Sequence, residues 1–279
     1  MISFCRKILA LDKRIIYVIM FISMALPMFM TFGLPIRIGA STQAAYDIVD
    51  ALPANSIVFL GAECGASQQA EMQPMINSLV RHVLQKDLRL VVWSNNSQGA
   101  TLAEQWSKDV LEEFNVEIGV NFVNIGYRTG FNATLDKART DFVEAMSDVD
   151  INNNRLSEMP LFADLKKASD IDLVIALDVG SPGTDDYIAS WQATGDVMNM
   201  IGGVAAVEVP NNMVKYSAGL LKGLVGGMSG AAQYEKLVGN PSSATSGMDS
   251  QGLAHLTIVI FIAFGNIAYV LLKRAGEKV

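Results

Sequence analysis

One apolar strand and the turn that follows it constrain the fold most. Residues 57–60 are four consecutive apolar residues, two of them β-branched, and they run directly into the small-residue turn 61–67. Strands that are buried on both faces of a parallel sheet have continuous apolar sequences of this kind, whereas strands with one solvated face alternate. The stretch therefore predicts an α/β domain that is built around a central parallel strand.

Strand-like and helix-like segments alternate after this first strand. Apolar runs predict five strands, at 57–60, 88–93, 119–125, 172–177 and 204–209. Apolar residues at three- and four-residue spacing predict the main helices, at 68–85, 101–114, 132–146, 185–193 and 212–238. This alternation predicts a five-stranded, mostly parallel, doubly wound sheet with helices on both faces. The long connection between strands three and four favours the strand order 3-2-1-4-5, with 2-1-3-4-5 as the alternative.

Both ends of the chain carry apolar segments. Residues 15–32 and 253–272 contain no charged side chain, and each is long enough to cross a hydrocarbon core of roughly 30 Å as a helix. The bulky residue Ile38 makes 38–40 a poor cleavage site, which favours a retained signal anchor over a removed signal peptide. The resulting division is a cytoplasmic segment and first transmembrane helix at 1–34, an α/β domain at 35–238, a Gly/Ser/Pro tether at 239–252, a second transmembrane helix at 253–272 and a cytoplasmic tail at 273–279.

Charge is segregated along the 279-residue chain, whose net charge is −7. Residues 1–34 carry four basic side chains and one acidic one, residues 253–279 carry three and one, and residues 35–252 carry 14 basic and 26 acidic ones. Because cytoplasmic flanks of membrane helices are enriched in Lys and Arg, we expect both termini in the cytoplasm and the acidic domain outside. An acidic domain repels phosphates, so nucleic-acid binding is not expected.

Polar side chains follow the predicted strands. In open α/β sheets, ligands bind beyond the carboxyl ends of the strands, where the strand order reverses. We therefore expect a small-molecule site there, although polar, glycine-rich turns occur in any α/β domain. The candidate ligand-binding residues are Glu63, Cys64, Asn95, Arg128, Asp178, Ser181, Glu208 and Asn211.

The motifs that would indicate catalysis are missing from the sequence. The first turn has Gly61 and Gly65 but no G-x-G-x-x-G, and no G-x-x-x-x-G-K-[ST] occurs. The only histidines are His82, inside a predicted helix, and His255, at the edge of the second apolar span, so a histidine base is not expected at the strand ends. We assign no catalytic residue and keep a mechanism based on Glu63 and Cys64, or on paired carboxylates, as the enzymatic alternative.

One loop resembles the first half of a calcium-binding loop, with oxygen ligands at alternate positions. It departs from the EF-hand pattern because Asn153 replaces the required glycine and Glu158 comes one residue early. A solvated Asp/Asn loop is the alternative, and we expect no other cofactor. The candidate calcium ligands are Asp148, Asp150, Asn152 and Asn154.

Small and amide residues suggest association. Gly219, Gly223 and Gly227 would share one face of the predicted helix 212–238, where interior glycines need a cause such as close backbone approach. Asn266 lies within the second apolar span, where amide side chains mark helix–helix contacts. These four residues are the interface candidates.

The leading hypothesis is therefore a two-pass protein of the cell membrane. Its extracytoplasmic domain would be a non-catalytic binding or assembly module, most simply an auxiliary subunit of a larger membrane complex. The expected partners are the lipid bilayer and either another membrane protein or a second copy. The alternatives are a membrane-anchored enzyme that uses the strand-end carboxylates and a small-ligand receptor.

Overall fold

A computed structural model of the chain describes residues 2–30 and 32–276. It divides into two compact units, one formed by Met1–Pro35 with Thr245–Val279 and the other by Ile36–Ala244. The helices of the described residues are α1 (Ile2–Leu9), α2 (Lys13–Phe29), α3 (Ala40–Asp50), α4 (Gln69–Gln85), α5 (Gly99–Glu113), α6 (Phe131–Ala138), α7 (Phe142–Ala145), α8 (Leu161–Asp164), α9 (Thr184–Tyr187), α10 (Val209–Ser217), α11 (Gly227–Leu237) and α12 (Ser243–Arg274).

The unit Ile36–Ala244 is an α/β domain. Its described residues form a parallel sheet with helices on both faces and the strand order β3-β2-β1-β4-β5-β6. The strands are β1 (Ile57–Glu63), β2 (Arg89–Ser94), β3 (Phe122–Tyr127), β4 (Leu173–Asp178), β5 (Met200–Val204) and β6 (Gly223–Gly226). The α/β class and the order of the first five strands are confirmed, but the described sheet has six strands and not five.

The chain reverses its direction across the sheet between β1 and β4. From β1 it moves outward through β2 to β3, and from β4 it moves outward through β5 to β6. The register pairs the last residue of β1, Glu63, with the last residue of β4, Asp178. Every residue of these two strands is buried, as expected for central parallel strands. Two acidic residues therefore end neighbouring strands where the strand order reverses.

The predicted helix 212–238 is wrong, because the segment forms α10, β6 and α11 in turn. Gly219 and Gly227 adopt φ angles of +76° and +56°, which lie outside the helical region. Gly223 lies in β6, where an added Cβ would come within 2.4 Å of the backbone of Ala45 in α3. The three glycines therefore share no helix face, and their assignment as one helical interface is wrong.

The other unit contains α1, α2 and most of α12. Among the described residues, α12 is the helix that is long and apolar enough to cross a membrane. It begins at Ser243, so most of the segment expected to be a Gly/Ser/Pro tether, 239–252, is helical. α2 has 17 residues and begins with two charged ones, which leaves an apolar helix of about 22 Å at 1.5 Å per residue. The structure does not support the predicted first transmembrane helix at full length.

The end of α2 has a physical cause. Pro27 lies in its last turn, and Gly33 adopts a φ angle of +60° beyond it. The carboxylate of Asp249, which is fully buried, accepts hydrogen bonds from the backbone N–H groups of residues 32, 33 and 34 at 2.8–3.0 Å. These N–H groups are held by a side chain instead of continuing a helix. The apolar run 15–32 therefore extends past the end of the helix.

Candidate functional site

A small crevice opens at the carboxyl edge of the sheet between β1 and β4. We call it the switch-point crevice. Its volume is about 250 Å³. Its lining residues are Glu63, Asn95, Asn96, Val179, Gly180, Ser181 and Pro182. Three of the predicted ligand-binding residues, Glu63, Asn95 and Ser181, therefore lie together at the position where open α/β sheets bind ligands.

Glu63 is held by the loop that follows β2. Its Oε1 and Oε2 atoms accept hydrogen bonds from the backbone N–H of Asn95 at 3.0 and 3.1 Å, and Oε2 accepts from the N–H of Asn96 at 3.2 Å. The hydroxyl of Ser94 donates to the carbonyl of Ala62 at 2.7 Å and lies 3.3 Å from Oε2. The carboxylate thus braces the loop 94–96, and the groups around it are donors.

A buried aromatic chain reaches the same carboxylate from behind. Trp93 Nε1 donates to the hydroxyl of Tyr187 at 2.6 Å, and this hydroxyl donates to Glu63 Oε1 at 3.3 Å. Tyr187 is fully buried, and burial raises its pKa well above the usual range. Its hydroxyl fits only because Gly61 has no side chain, since a Cβ there would lie 1.9 Å from the oxygen. The glycine near the end of β1 therefore makes room for a specific hydrogen bond.

The pKa of Glu63 is raised to about 7. Burial is the main cause, because it disfavours the charged carboxylate. The hydrogen bonds from Asn95, Ser94, Tyr187 and Asn96 favour the charge and oppose the shift. Glu63 therefore titrates close to neutral pH.

Asp178 occupies the equivalent place at the end of β4 and is also buried. Its Oδ1 accepts from the N–H of Gly180 at 2.9 Å, and its Oδ2 accepts from the hydroxyl of Thr184 at 2.9 Å and the amide of Asn212 at 3.2 Å. The buried Lys215 donates to the Thr184 hydroxyl at 2.8 Å. Asp178 therefore fastens the loop after β4 to α9 and α10.

Cys64 does not offer a nucleophile. Its side chain is fully buried, and burial together with the charge of Glu63 raises its pKa to about 12. Because the thiolate is the reactive form of cysteine, a thiol with this pKa is unreactive near neutral pH. The pair of Cys64 and Glu63 thus lacks the activated thiol that covalent catalysis requires.

The remaining predicted ligand-binding residues lie outside the crevice. The guanidinium of Arg128 donates to the carbonyls of Met146 and Tyr127 at 2.9 and 2.8 Å, so it holds the crossover after α7. Glu208 precedes α10 and is half-buried, whereas Asn211 is exposed on α10. Ligand binding by these three residues stays a prediction, and any ligand that they bind would lie outside the switch-point crevice.

Sequence reasoning missed the residues that support the two acids. Tyr187, Thr184, Asn212 and Lys215 come from helices and not from strand ends, so a search of strand ends does not find them. One signal was available, because the adjacent Asn212 follows the predicted candidate Asn211. The structure starts β5 four residues earlier than expected and places both asparagines on α10, with Asn212 buried against Asp178 and Asn211 exposed.

The loop that resembles a calcium site is held by its own hydrogen bonds. The carboxylate of Asp150 accepts from the N–H groups of Asn152 and Asn154 at 2.8 and 2.7 Å. Asp148 accepts from Ser157 and from the guanidinium of Arg155, at 2.8 and 2.9 Å. In the described ranges, no group of three or more His, Cys, Asp or Glu side chains is placed to hold a metal ion. Calcium binding here stays a prediction. It would require the carboxylates of Asp148 and Asp150 to exchange these hydrogen bonds for bonds to the ion.

Asn266 is exposed on α12, and its side-chain amide donates to the carbonyl of Ile262 at 2.9 Å. The amide N–H group thus has an acceptor one turn earlier in its own helix. The expectation that Asn266 needs a contact from another helix loses this part of its support.

The arrangement leaves few donors for an anionic ligand. At the ends of β1 and β4, the backbone N–H groups of residues 95, 96, 180 and 184 already bond to Glu63 or Asp178. The N–H of Gly183 bonds to Asp186 at 2.9 Å. Such N–H groups bind phosphate in nucleotide-binding α/β folds. Here the carboxylates of the chain itself bond to these N–H groups and occupy the position that a phosphate takes in those folds.

No protein-family model matches the chain, and no curated protein or solved structure shows significant similarity to it.

Proposed function

We propose that this chain is a membrane-anchored protein whose α/β unit is a non-catalytic binding or assembly module, an auxiliary subunit of a larger membrane complex. In this proposal α12 and the shorter α2 both cross the membrane, which puts both termini in the cytoplasm and the acidic α/β unit outside. The observation that carries the proposal is that the two acidic residues at the strand ends are already hydrogen-bonded within the chain. Glu63 and Asp178 brace the chain's own loops, and Cys64 is buried with a raised pKa.

The groups that line the switch-point crevice suit recognition. The side chains of Asn96 and Ser181 and the backbone of the 179–182 loop offer donors and acceptors around a volume of about 250 Å³. A crevice of this size accommodates one side chain or a short peptide turn better than a cofactor, because cofactor pockets usually measure about 300–1,000 Å³. The proposed partner therefore inserts a small polar group between β1 and β4.

A second candidate function is an enzyme that uses Glu63 as a general base. A carboxylate with a pKa of about 7 that lines a crevice is suited to proton transfer at neutral pH. The two proposals differ in what Glu63→Gln does. In the binding module, a Glu63→Gln variant keeps its function under conditions where it is fully folded, whereas in the enzyme it loses function even when it is fully folded.

Site-specific photocrosslinking in native membranes tests the module. A photoreactive residue replaces Asn96 at the crevice, and the matched control replaces Glu117, which is exposed and precedes β3 at the opposite edge of the sheet. We expect a discrete adduct with one membrane protein at position 96 and none at position 117. Equal labelling at both positions, combined with loss of function in a stably folded Glu63→Gln variant, would support the enzyme instead.

Cysteine accessibility tests the topology. In a Cys5→Ser/Cys64→Ser background, Asn240→Cys should react with an impermeant maleimide on intact cells, and Glu277→Cys should react only after lysis. The reverse pattern would place the α/β unit in the cytoplasm and would remove the topological part of the proposal.

A further inference from the structure

The amino-terminal helix α1 packs against the carboxyl end of α12. Cys5 is 4 % exposed and forms a small apolar cluster with Ala268 and Leu272, against which Ile8 also packs. Arg6 and Lys7 lie on the exposed side of the same helix. This division between an apolar and a basic face is typical of helices that lie at a membrane surface.

Basic residues collect at this end of the unit. Because Cys5 contacts Leu272, the last turn of α12 lies beside α1, and α2 begins four residues after α1 ends. Among the described residues at this end, Asp12 is acidic, and it accepts from the N–H of Arg14 at 2.9 Å as the N-cap of α2. We call five basic residues the basic end: Lys7, Lys13, Arg14, Lys273 and Arg274.

An apolar groove of about 440 Å³ adjoins the basic end. It is formed by α1, the link to α2, the start of α2 and the middle of α12. All the side chains that line it are apolar. They include Phe4 and Ile8 of α1, Ile16 of α2 and Phe264 of α12, and Gly265 adds open space because no atom lies within 4 Å of its Cβ position.

The groove and the basic end together match the thickness of one membrane leaflet. Ile260, which lines the groove, precedes Lys273 by 13 residues, or about 20 Å along a helix. Half of a hydrocarbon core of about 30 Å is about 15 Å, and the headgroup region lies beyond it. A long Lys or Arg side chain at the helix end reaches this headgroup region. The groove therefore descends from headgroup level toward the centre of the bilayer.

We propose that this unit binds one anionic phospholipid, with an acyl chain in the apolar groove and the phosphate on the basic end. The proposal rests on the membrane attachment by α12 in the proposed function. Charge complementarity selects this occupant over a second apolar helix, which could fill the groove but would bring no phosphate to the basic end. Each Lys or Arg near a membrane surface strengthens binding of an anionic lipid by about fivefold.

Native mass spectrometry of the delipidated full chain in detergent tests the proposal. The probes are phosphatidylglycerol and phosphatidylcholine with identical acyl chains. We expect a single phosphatidylglycerol adduct at concentrations where phosphatidylcholine gives none. The double variant Lys273→Gln/Arg274→Gln should weaken phosphatidylglycerol binding by about 25-fold and leave phosphatidylcholine unchanged.

A groove-filling variant separates the two parts of the site. A Cβ at position 265 would have no neighbouring atom within 4 Å, so Gly265→Leu should extend into the groove and weaken the binding of both lipids. Its matched control is Ala263→Leu, which is exposed on the same helix outside the groove and should bind like the wild type. Circular dichroism of the full chain in detergent, which includes the helices of this unit, checks that each variant is folded.

Three results would overturn the inference: equal binding of the two lipids, no effect of Gly265→Leu, or a dimer peak that Gly265→Leu removes. The last result would assign the groove to a second copy. Release of the chain from membranes by carbonate would instead contradict the attachment by α12. Retention in membranes without lipid discrimination would contradict the phospholipid site alone.

Discussion

Two buried groups of the α/β unit should make its stability depend on pH in opposite directions. Burial raises the pKa of Glu63 to about 7. His82 lies between α3, α4 and α11, where its ring stacks on Tyr46 at 4.3 Å and its Nδ1 is 2.9 Å from the hydroxyl of Tyr234. Burial lowers the pKa of His82 to about 4, although the nearby Asp50 opposes the shift.

The signs follow from which state binds more protons. Between pH 4.5 and 7, folded Glu63 keeps a proton that the unfolded chain releases. Its contribution to the free energy of unfolding is therefore fully present below pH 4.5 and is lost as pH rises. Between pH 6.5 and 4, His82 of the unfolded chain takes up a proton that the folded protein excludes. Its contribution to the free energy of unfolding is therefore fully present above pH 6.5 and is lost as pH falls. Each shift corresponds to about 3 kcal/mol, at about 1.4 kcal/mol per pH unit. The two effects should nearly cancel between pH 4.5 and 6.5.

Single variants should separate the two slopes. Glu63→Gln leaves the His82 effect, so its free energy of unfolding should rise with pH across this window. His82→Phe keeps the ring stack and leaves the Glu63 effect, so its free energy of unfolding should fall with pH. Hydrogen bonds lost in either variant shift the whole curve by about 1–3 kcal/mol without changing the slope.

Urea unfolding of the full chain in detergent measures these slopes. The three tryptophans, Trp93, Trp106 and Trp191, all lie in the α/β unit, so their fluorescence reports that unit alone. The wild type should be almost flat from pH 4.5 to 6.5. A Glu63→Gln profile parallel to that of the wild type would mean that Glu63 is ionised in the folded protein, and the reasoning from burial would be wrong.

Three further predictions concern single positions. Gly61→Ala should lower the melting temperature by about 4–16 °C, from a loss of about 2–4 kcal/mol, because its Cβ would meet a buried hydroxyl at 1.9 Å; Gly65→Ala, with its nearest neighbour at 3.5 Å, is the control and should change the melting temperature little. Cys64 should resist maleimide at pH 8 in the folded protein and react in urea; rapid labelling without urea would contradict its burial. Asp249→Asn should make residues 30–35 sensitive to limited proteolysis, because a carboxylate that holds three N–H groups is lost, whereas Ser250→Ala should not; equal resistance in both variants would show that this carboxylate does not hold the segment.

The sequence contained enough information for the central sheet. Continuous apolar runs such as 57–60 mark strands buried on both faces, and one long crossover orders them. The sequence contained less information about the outer strands. β5 includes Gly202 and Gly203, which look like a turn but are required because Leu177 and Leu224 occupy the space where their side chains would be. Only the packed neighbours reveal that requirement.

The candidate site was predictable in its position but not in its connections. The strand ends identified Glu63, Asp178 and Ser181, because parallel strands deliver their last residues to one edge of a sheet. The partners Tyr187 and Asn212 depend on how two helices are oriented, and no local pattern records that orientation. A strand-end search therefore finds the acids without showing that they are already bound to the chain.

The carboxylates of Glu63 and Asp178 have a consequence for how the folded protein responds to its surroundings. A ligand raises the melting temperature by mass action only when the folded state offers it contacts that the unfolded state lacks. At this edge of the sheet the chain supplies its own anions, which are covalently attached and therefore present at every solute concentration. Millimolar phosphate or nucleotide should leave the melting temperature of the α/β unit where it was, so the module stays equally folded in phosphate-rich and phosphate-poor surroundings.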